Sequence, residues 1–346
     1  MDHVLNILYL GNAQGFLNAA KYYFIPQRLI NGFTRLGHNV YVFNDRDYAR
    51  YSNILRSQRR GKKRMNEKVI EVCRDYQPDL IVLGHCKNIT NETLSEIRKA
   101  VNGVKILYRN VDPLSSPQNI KDIKQRVGHV DGIFITTAGK DLGQFSNDNG
   151  GVYFMPNPVD PALDNRRAFD NQKADIDFLF LASYLRDQHD HRHITAQYLL
   201  DNKDSLNIQI GGAGINEHRV FGIEYFNVLE RSKMGLCMNK TNDYYLYASD
   251  RMSQYMASGV LSFIPEGPKF EDIFDNDSFI TFQTNEELID KIKYYNQHED
   301  TRIKIAQTGY TKIHDYFHVD KICQYMIEQT FEQPLSQNYN WPTDRY

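Results

Sequence analysis

The chain has 346 residues and a formal net charge of −2, which is length enough for two domains with separate cores and too little charge to draw a polyanion by its overall field. Its four cysteines, Cys73, Cys86, Cys237 and Cys323, have no CxxC spacing, which excludes a disulfide framework and reads as reduced, buried thiols of a cytosolic protein. No basic segment precedes the short apolar run at residues 4–10, and no stretch approaches the roughly 20 apolar residues of a membrane span, so a soluble, intracellular protein is expected.

In chain order, strands are predicted at 4–10, 39–43, 79–83, 104–108 and 132–136, with helices at 22–36, 65–76, 92–101 and 119–127 between them. Continuous apolar strands alternating with helices imply a parallel sheet covered on both faces. The segment 152–161 carries Pro156, Pro158 and Pro161, which cannot extend a helix or a central strand, and it reads as an extended connection between domains. A second alternation follows, with strands at 177–181, 207–210, 235–238, 260–264 and 279–281. Its helices fall at 193–202, 225–233, 251–258, 285–296 and 302–316, and a last helix covers 320–331. The fold expected is α/β, two Rossmann-like doubly wound domains facing a cleft, with ligands at the carboxyl ends of the strands.

Several residue groups at those strand ends carry chemistry. Gly11-Asn12-Ala13-Gln14-Gly15 is a glycine-containing strand-to-helix turn but not a dinucleotide fingerprint; it is either a ligand loop or a plain tight turn. His85 follows the third strand as a turn hydrogen-bonder or a base. Asp112, in Tyr108-Arg109-Asn110-Val111-Asp112-Pro113, either takes a proton from an acceptor hydroxyl or caps the turn ahead of Pro113. In the second half, Gly211-Gly212-Ala213-Gly214 leaves room for a base or ribose against the backbone. Asp250-Arg251-Met252-Ser253-Gln254-Tyr255 opens a helix with Ser249 or Asp250 as N-cap. Free first-turn amides beside a guanidinium suit a diphosphate, although an ordinary amphipathic helix has the same look.

Three signals are discounted. Asp187 to His193 has the composition of a metal cluster but no distant partner ligands, so no metal is expected. The basic run from Arg56 to Arg64 reads as a solvated loop, with contact to an anionic glycan, lipid headgroup or nucleic acid as the other reading. The 23 tyrosines are sugar-stacking surface or, for many, packing.

The strand 234–239 ending in Asn239, the loop 240–249 and the helix with Arg251 and Gly259 resemble GT-B glycosyltransferases, most closely their CgeB-like branch with a "glycosyl transferases group 1" C-terminal domain. Phe178-Leu179-Phe180-Leu181-Ala182-Ser183-Tyr184-Leu185-Arg186 resembles the family's strand, Gly-Ser and Arg segment, with Ala182 in the glycine's place. Gln254 stands where the family has a glutamate on the donor ribose. The resemblance implies an acceptor-side domain over 1–155, a nucleotide-sugar domain over 156–318 and a helix and tail over 319–346 that cross back to the first. It implies transfer of a sugar from a nucleotide-diphosphate donor to a hydroxyl of a glycan, lipid or protein, with no resident cofactor. The donor-binding set is then Gly15, Ser183, Arg186, Gly211, Gly212, Asn239, Lys240, Arg251, Gln254 and Tyr255, with Arg192 an alternative to Arg186. The catalytic set is Asp112, His85 and Arg251. Peripheral contact with the inner face of a membrane through Arg56 to Arg64 is an open reading, and no nucleic-acid partner is expected. The alternatives are a nucleotide-sugar epimerase of the same fold and a non-catalytic nucleotide- or sugar-binding protein.

Overall fold

The protein is described here by a computed structural model covering residues 3–13, 19–183, 189–216 and 219–346. It divides into two compact units, Met1–Pro156 with Val319–Tyr346, and Asn157–His318.

The first unit runs β1 (Asn6–Leu10), α1 (Ile25–Arg35), β2 (Asn39–Phe43), α2 (Asp45–Tyr51), α3 (Gln58–Tyr76), β3 (Leu80–Leu83) and α4 (Asn91–Ala100), then β4 (Lys105–Asn110), α5 (Pro117–Lys124), β5 (Gly132–Ile135) and β6 (Gly151–Phe154). The six strands pair in parallel in the order β2-β1-β3-β4-β5-β6. β3, β5 and β6 are buried throughout, whereas β2, at one edge, alternates between exposed and half-buried residues before Phe43. That difference is what burial on two faces or on one demands of a strand. Because the chain moves from β1 outward to β2 and then back past β1 to β3, the topological switch point lies between β1 and β3.

Two expectations are corrected here. The basic run is helical: Arg59 to Arg64 occupy the opening turns of α3, which Ser57 caps through its hydroxyl, so the helix starts well before the apolar periodicity does. The connection segment begins with a sixth strand, which fits because the three prolines all lie after Phe154.

The second unit contains β7 (Ile176–Leu181), α6 (His191–Asp201), β8 (Ile208–Gly211), α7 (Ile223–Glu230), β9 (Ser232–Leu236) and α8 (Asp250–Ala257), then β10 (Leu261–Pro265), β11 (Ile280–Phe282), α9 (Asn285–Gln297) and α10 (Glu299–Tyr316). Its five strands are parallel in the order β11-β10-β9-β7-β8, with the switch point between β7 and β9. Phe178, Phe180, Met234, Leu236, Leu261 and Phe263 form the centre of its core.

The last helix, α11 (Val319–Thr330), belongs to the first unit and packs on α1. The contact needs Gly32, since a Cβ there would come within 2.7 Å of the Cys323 sulfur. The tail then folds back on the same unit. Trp341 is buried edge-on against Tyr325, and Tyr346 exchanges two backbone hydrogen bonds with Val152 on the edge strand β6. Pairing an edge strand in this way removes a surface that would otherwise invite another chain.

Candidate functional site

In the second unit the switch point is spanned by one side chain. Arg251, in the first turn of α8, donates from Nε to the Leu181 carbonyl at the end of β7 and from Nη1 to the Met238 carbonyl just past β9, at 2.5 and 2.7 Å. Its guanidinium also lies over the Phe180 ring at 5.3 Å. The arginine therefore ties together the two strand ends between which a doubly wound sheet takes its ligand. Its Nη2 makes no hydrogen bond among the described residues.

The start of α8 carries no side-chain cap. Six described helices, α2, α3, α4, α5, α6 and α9, have an N-cap side chain that accepts from a first-turn amide. At α8 the N-cap residue is Ser249, as one reading of the sequence had it, yet its side chain makes no cap bond and its buried Oγ has no partner. A serine hydroxyl and uncapped amides thus stand beside Arg251 at the positive end of a helix, an arrangement suited to phosphate oxygens.

Ser183, Gly211, Gly212, Asn239, Lys240 and Gln254 are brought to the same end of this sheet, and most have their polar atoms committed. Asn239 organises the loop: its Oδ1 accepts from Ser249 N at 2.7 Å, its Nδ2 donates to Tyr247 O, and its carbonyl meets His191 Nε2. Gln254 is buried, accepts from Tyr225 Oη at 2.6 Å and reaches Asp250 Oδ2 at 3.4 Å, so both ends of its amide are engaged. Tyr255 is fully buried under β7 and β9; its hydroxyl accepts from Leu181 N, and burial raises its pKa. It supports the strand end from beneath rather than lining the surface above it.

Gly212 has φ of +73°, and a Cβ there would approach the Ala182 carbonyl to 2.1 Å. The sequence reading had this glycine loop making room for a nucleoside; the structure shows that the close approach at Gly212 is to the end of β7. Gly211 precedes it as the last residue of β8. Ser183 is exposed, with its carbonyl accepting from Ala213 N and its Oγ within 3.5 Å of Arg192 Nη1. Arg192 is buried and neutralised by Asp190, the cap of α6, through two side-chain bonds of 3.0 and 2.8 Å, so it brings no spare charge. Lys240 is exposed and has no ion-pair partner among the described residues. Gly15 and Arg186 lie outside the described residues. Of the histidines in the discounted cluster, His191 and His193 bond the carbonyls of Asn239 and Ala213, and no cluster of three or more metal-ligating side chains occurs among the described residues.

In the first unit His85 and Asp112 do come together, past the ends of β3 and β4. His85 Nδ1 is 3.9 Å from Asp112 Oδ2, and the carboxylate is half exposed. Burial, and then the charge of Arg109, pull the His85 pKa down to about 4, which leaves the imidazole neutral at pH 7. The capping role for Asp112 is not what the structure shows. Asn110 makes that turn, accepting from Asp112 N at 3.1 Å, and Ser116 caps α5.

Sequence reasoning passed over Arg109 itself. It is 2% exposed, gives Nε and Nη2 to the Tyr9 hydroxyl at 3.1 Å each, and leaves Nη1 buried without a partner. A charged residue directly after the apolar run 106–108 was the available signal.

Two doubly wound units with this strand order define the GT-B class of glycosyltransferase folds, and the comparisons agree. Residues 186–328 match the family described as "Glycosyl transferase-like". Among solved structures, the chain is similar to sucrose-phosphate synthase from Thermosynechococcus elongatus, at 12% identity and a TM-score of 0.59 over 95% of this chain and 98% of that one. It is similar to Anabaena HepE in complex with UDP and glucose, at 13% identity and a TM-score of 0.56 over 95% and 100% of the two chains. AviGT4, a glycosyltransferase involved in avilamycin A biosynthesis, aligns at 12% identity and a TM-score of 0.58 over 95% and 97%. No curated protein matches the sequence. At these identities the likeness establishes the fold.

Proposed function

We propose that the protein is a glycosyltransferase that binds a nucleotide-diphosphate sugar at the switch point of its second unit and transfers the sugar to a hydroxyl of a glycan, lipid or protein. The observation that carries this reading is the uncapped start of α8, with the unpartnered Ser249 hydroxyl, beside the Arg251 guanidinium. The family match over residues 186–328 and the UDP held by the structurally similar HepE support it.

In the reaction the bond from the anomeric carbon to the diphosphate oxygen breaks and a bond to the acceptor oxygen forms. The α8 amides, the Nη2 edge of Arg251 and Lys240 meet the charge that grows on the leaving diphosphate, which asks for no metal and no resident cofactor. The acceptor proton goes to Asp112 or to the neutral His85 beside it if configuration is inverted. Ser183, Gly211 and Gly212 shape the nucleoside side of the site, with Asn239 and Tyr255 as positioning residues. Gln254 contacts the ribose only by exchanging its bond to Tyr225. A cytoplasmic enzyme with no nucleic-acid partner, working at the inner face of a membrane through Arg56 to Arg64, completes the reading.

Ser249→Ala tests it by calorimetry with UDP and other nucleoside diphosphates. Because the hydroxyl has no protein partner, the expected result is an unchanged melting temperature with nucleotide binding weaker by about 10- to 100-fold, the worth of one charge-assisted hydrogen bond. Full binding by the variant, or no nucleoside diphosphate bound by the parent, rejects the site.

A further inference from the structure

α2 and α3 form a hairpin whose tip is held in one shape. The helices cross so closely that a Cβ on Gly61 would lie 1.7 Å from the Ala49 carbonyl. Asn53 pins the turn, donating to the carbonyls of Ala49 and Ser57 and accepting from Ser57 N at 3.1 Å. At the tip of this fixed turn stand two aliphatic side chains: Ile54 is 100% exposed and Leu55 61%. Six cations follow them, Arg56, Arg59, Arg60, Lys62, Lys63 and Arg64, and no acidic residue lies between Ser52 and Asn66. Arg56, Arg59 and Arg60 make no ion pair among the described residues, and Lys63 reaches Glu67 only at 3.9 Å.

We propose that this tip docks the first unit on an anionic lipid surface, with Ile54 and Leu55 entering the interface and the cations meeting lipid phosphates. A rigid turn that displays aliphatic groups at its apex and positive charge around them has the charge and apolar complement of such a surface. A nucleic acid offers nothing to two aliphatic side chains, and Tyr51 beside them carries the Arg56 guanidinium over its ring at 5.6 Å. The docking rests on the membrane contact in the proposed function and gives it a surface chemistry and two anchoring side chains; it uses no step of sugar transfer, so failed flotation leaves the transfer reading standing.

Co-flotation of the full chain with phosphatidylcholine vesicles, with and without phosphatidylglycerol, tests the proposal without any turnover. The expected result is flotation with the anionic vesicles alone, abolished at high salt as screening sets in. Ile54→Ser with Leu55→Ser is expected to weaken it by at least about tenfold, through lost apolar burial. Arg59→Gln with Arg60→Gln is expected to weaken it by about 25-fold, at roughly fivefold per cation. All four positions are exposed, so the variants are expected to melt with the parent. No flotation with anionic vesicles overturns the proposal. So does flotation indifferent to Ile54→Ser with Leu55→Ser, and so does tight binding of the tip to an RNA homopolymer in place of vesicles.

Discussion

Each unit places an arginine at the end of its parallel sheet, and the two are held in opposite ways. Arg251 in the second unit is satisfied by two backbone carbonyls and an aromatic face, and keeps one edge outward. Arg109 in the first is almost wholly buried, shares one tyrosine hydroxyl between two of its nitrogens, and has a third nitrogen with nothing to bind. The same residue type, on a helix start in one unit and on a strand in the other, is a tie in the first case and a source of field in the second. Burial and partners decide between the two, not sequence context.

The largest expected effect breaks this comparison directly. Arg251→Met removes two charge-assisted hydrogen bonds and leaves two carbonyls without their donor, so it should lower stability by about 3–5 kcal/mol, seen in urea or thermal unfolding. Arg109→Met removes a buried, poorly paired charge but also takes both donors from the buried Tyr9 hydroxyl, so the two effects offset and stability is expected to change by no more than about 1 kcal/mol. The same substitution should raise the His85 pKa, measurable by NMR titration of the imidazole. Equal destabilisation by the two substitutions would sink the distinction.

Next in size is Gly212→Ala. It forces a left-handed backbone on alanine and drives a methyl into the Ala182 carbonyl, at an expected cost of about 2–4 kcal/mol. Its circular-dichroism melt should fall even with nucleotide absent, because the constraint is the end of β7 rather than the ligand; an unchanged melt would return the glycine to the nucleoside.

The smallest effect concerns acid in the first unit. The His85 pKa lies near 4, below its ordinary value, so the unfolded chain takes up the proton first and stability is lost as pH falls from about 6.5 toward 4. Asp45 is buried, with Oδ1 unpartnered, and burial raises its pKa to about 6. There the folded chain holds the proton more tightly, so stability is gained as pH falls from about 6 toward 4. The two oppose each other over the same window. His85→Gln should therefore make the protein gain relative to the parent on acidification, and Asp45→Asn should make it lose, in unfolding curves taken from pH 7 to pH 4. Parallel curves for all three proteins would contradict the burial argument.

Most strands and helices were legible because buried parallel strands write themselves as apolar runs, and residues 39–43 match to the residue. α2 was not legible, since a seven-residue helix reading Asp-Arg-Asp-Tyr-Ala-Arg-Tyr has too few apolar positions to show a period. The start of α3 was hidden for a related reason: its first turns are held by a serine cap and a close glycine crossing, not by an apolar stripe. At the candidate site the sequence located the strand ends where Arg251, Asn239 and Gln254 gather. It did not reveal which atoms are spent on the fold, because the Asn239 side-chain and carbonyl bonds reach eight to 48 residues along the chain and the Gln254 bond to Tyr225 reaches 29. The pairing of His85 with Asp112 across two strand ends was likewise a matter of register, and the unpartnered hydroxyl of Ser249 a matter of geometry.

The return of α11 to the first unit also sets an order of events during synthesis. Leu29 and Phe33 on α1 are buried, Gly32 lies against Val319 and Cys323, and those partners leave the ribosome only after the whole of the second unit has been made. The contiguous middle of the chain can close as soon as His318 emerges, while the part translated first must wait with an apolar helix face uncovered. Here α1 is made before the second unit and finished after it, and a chain stopped short of Val319 would carry a complete second unit tethered to an incomplete first.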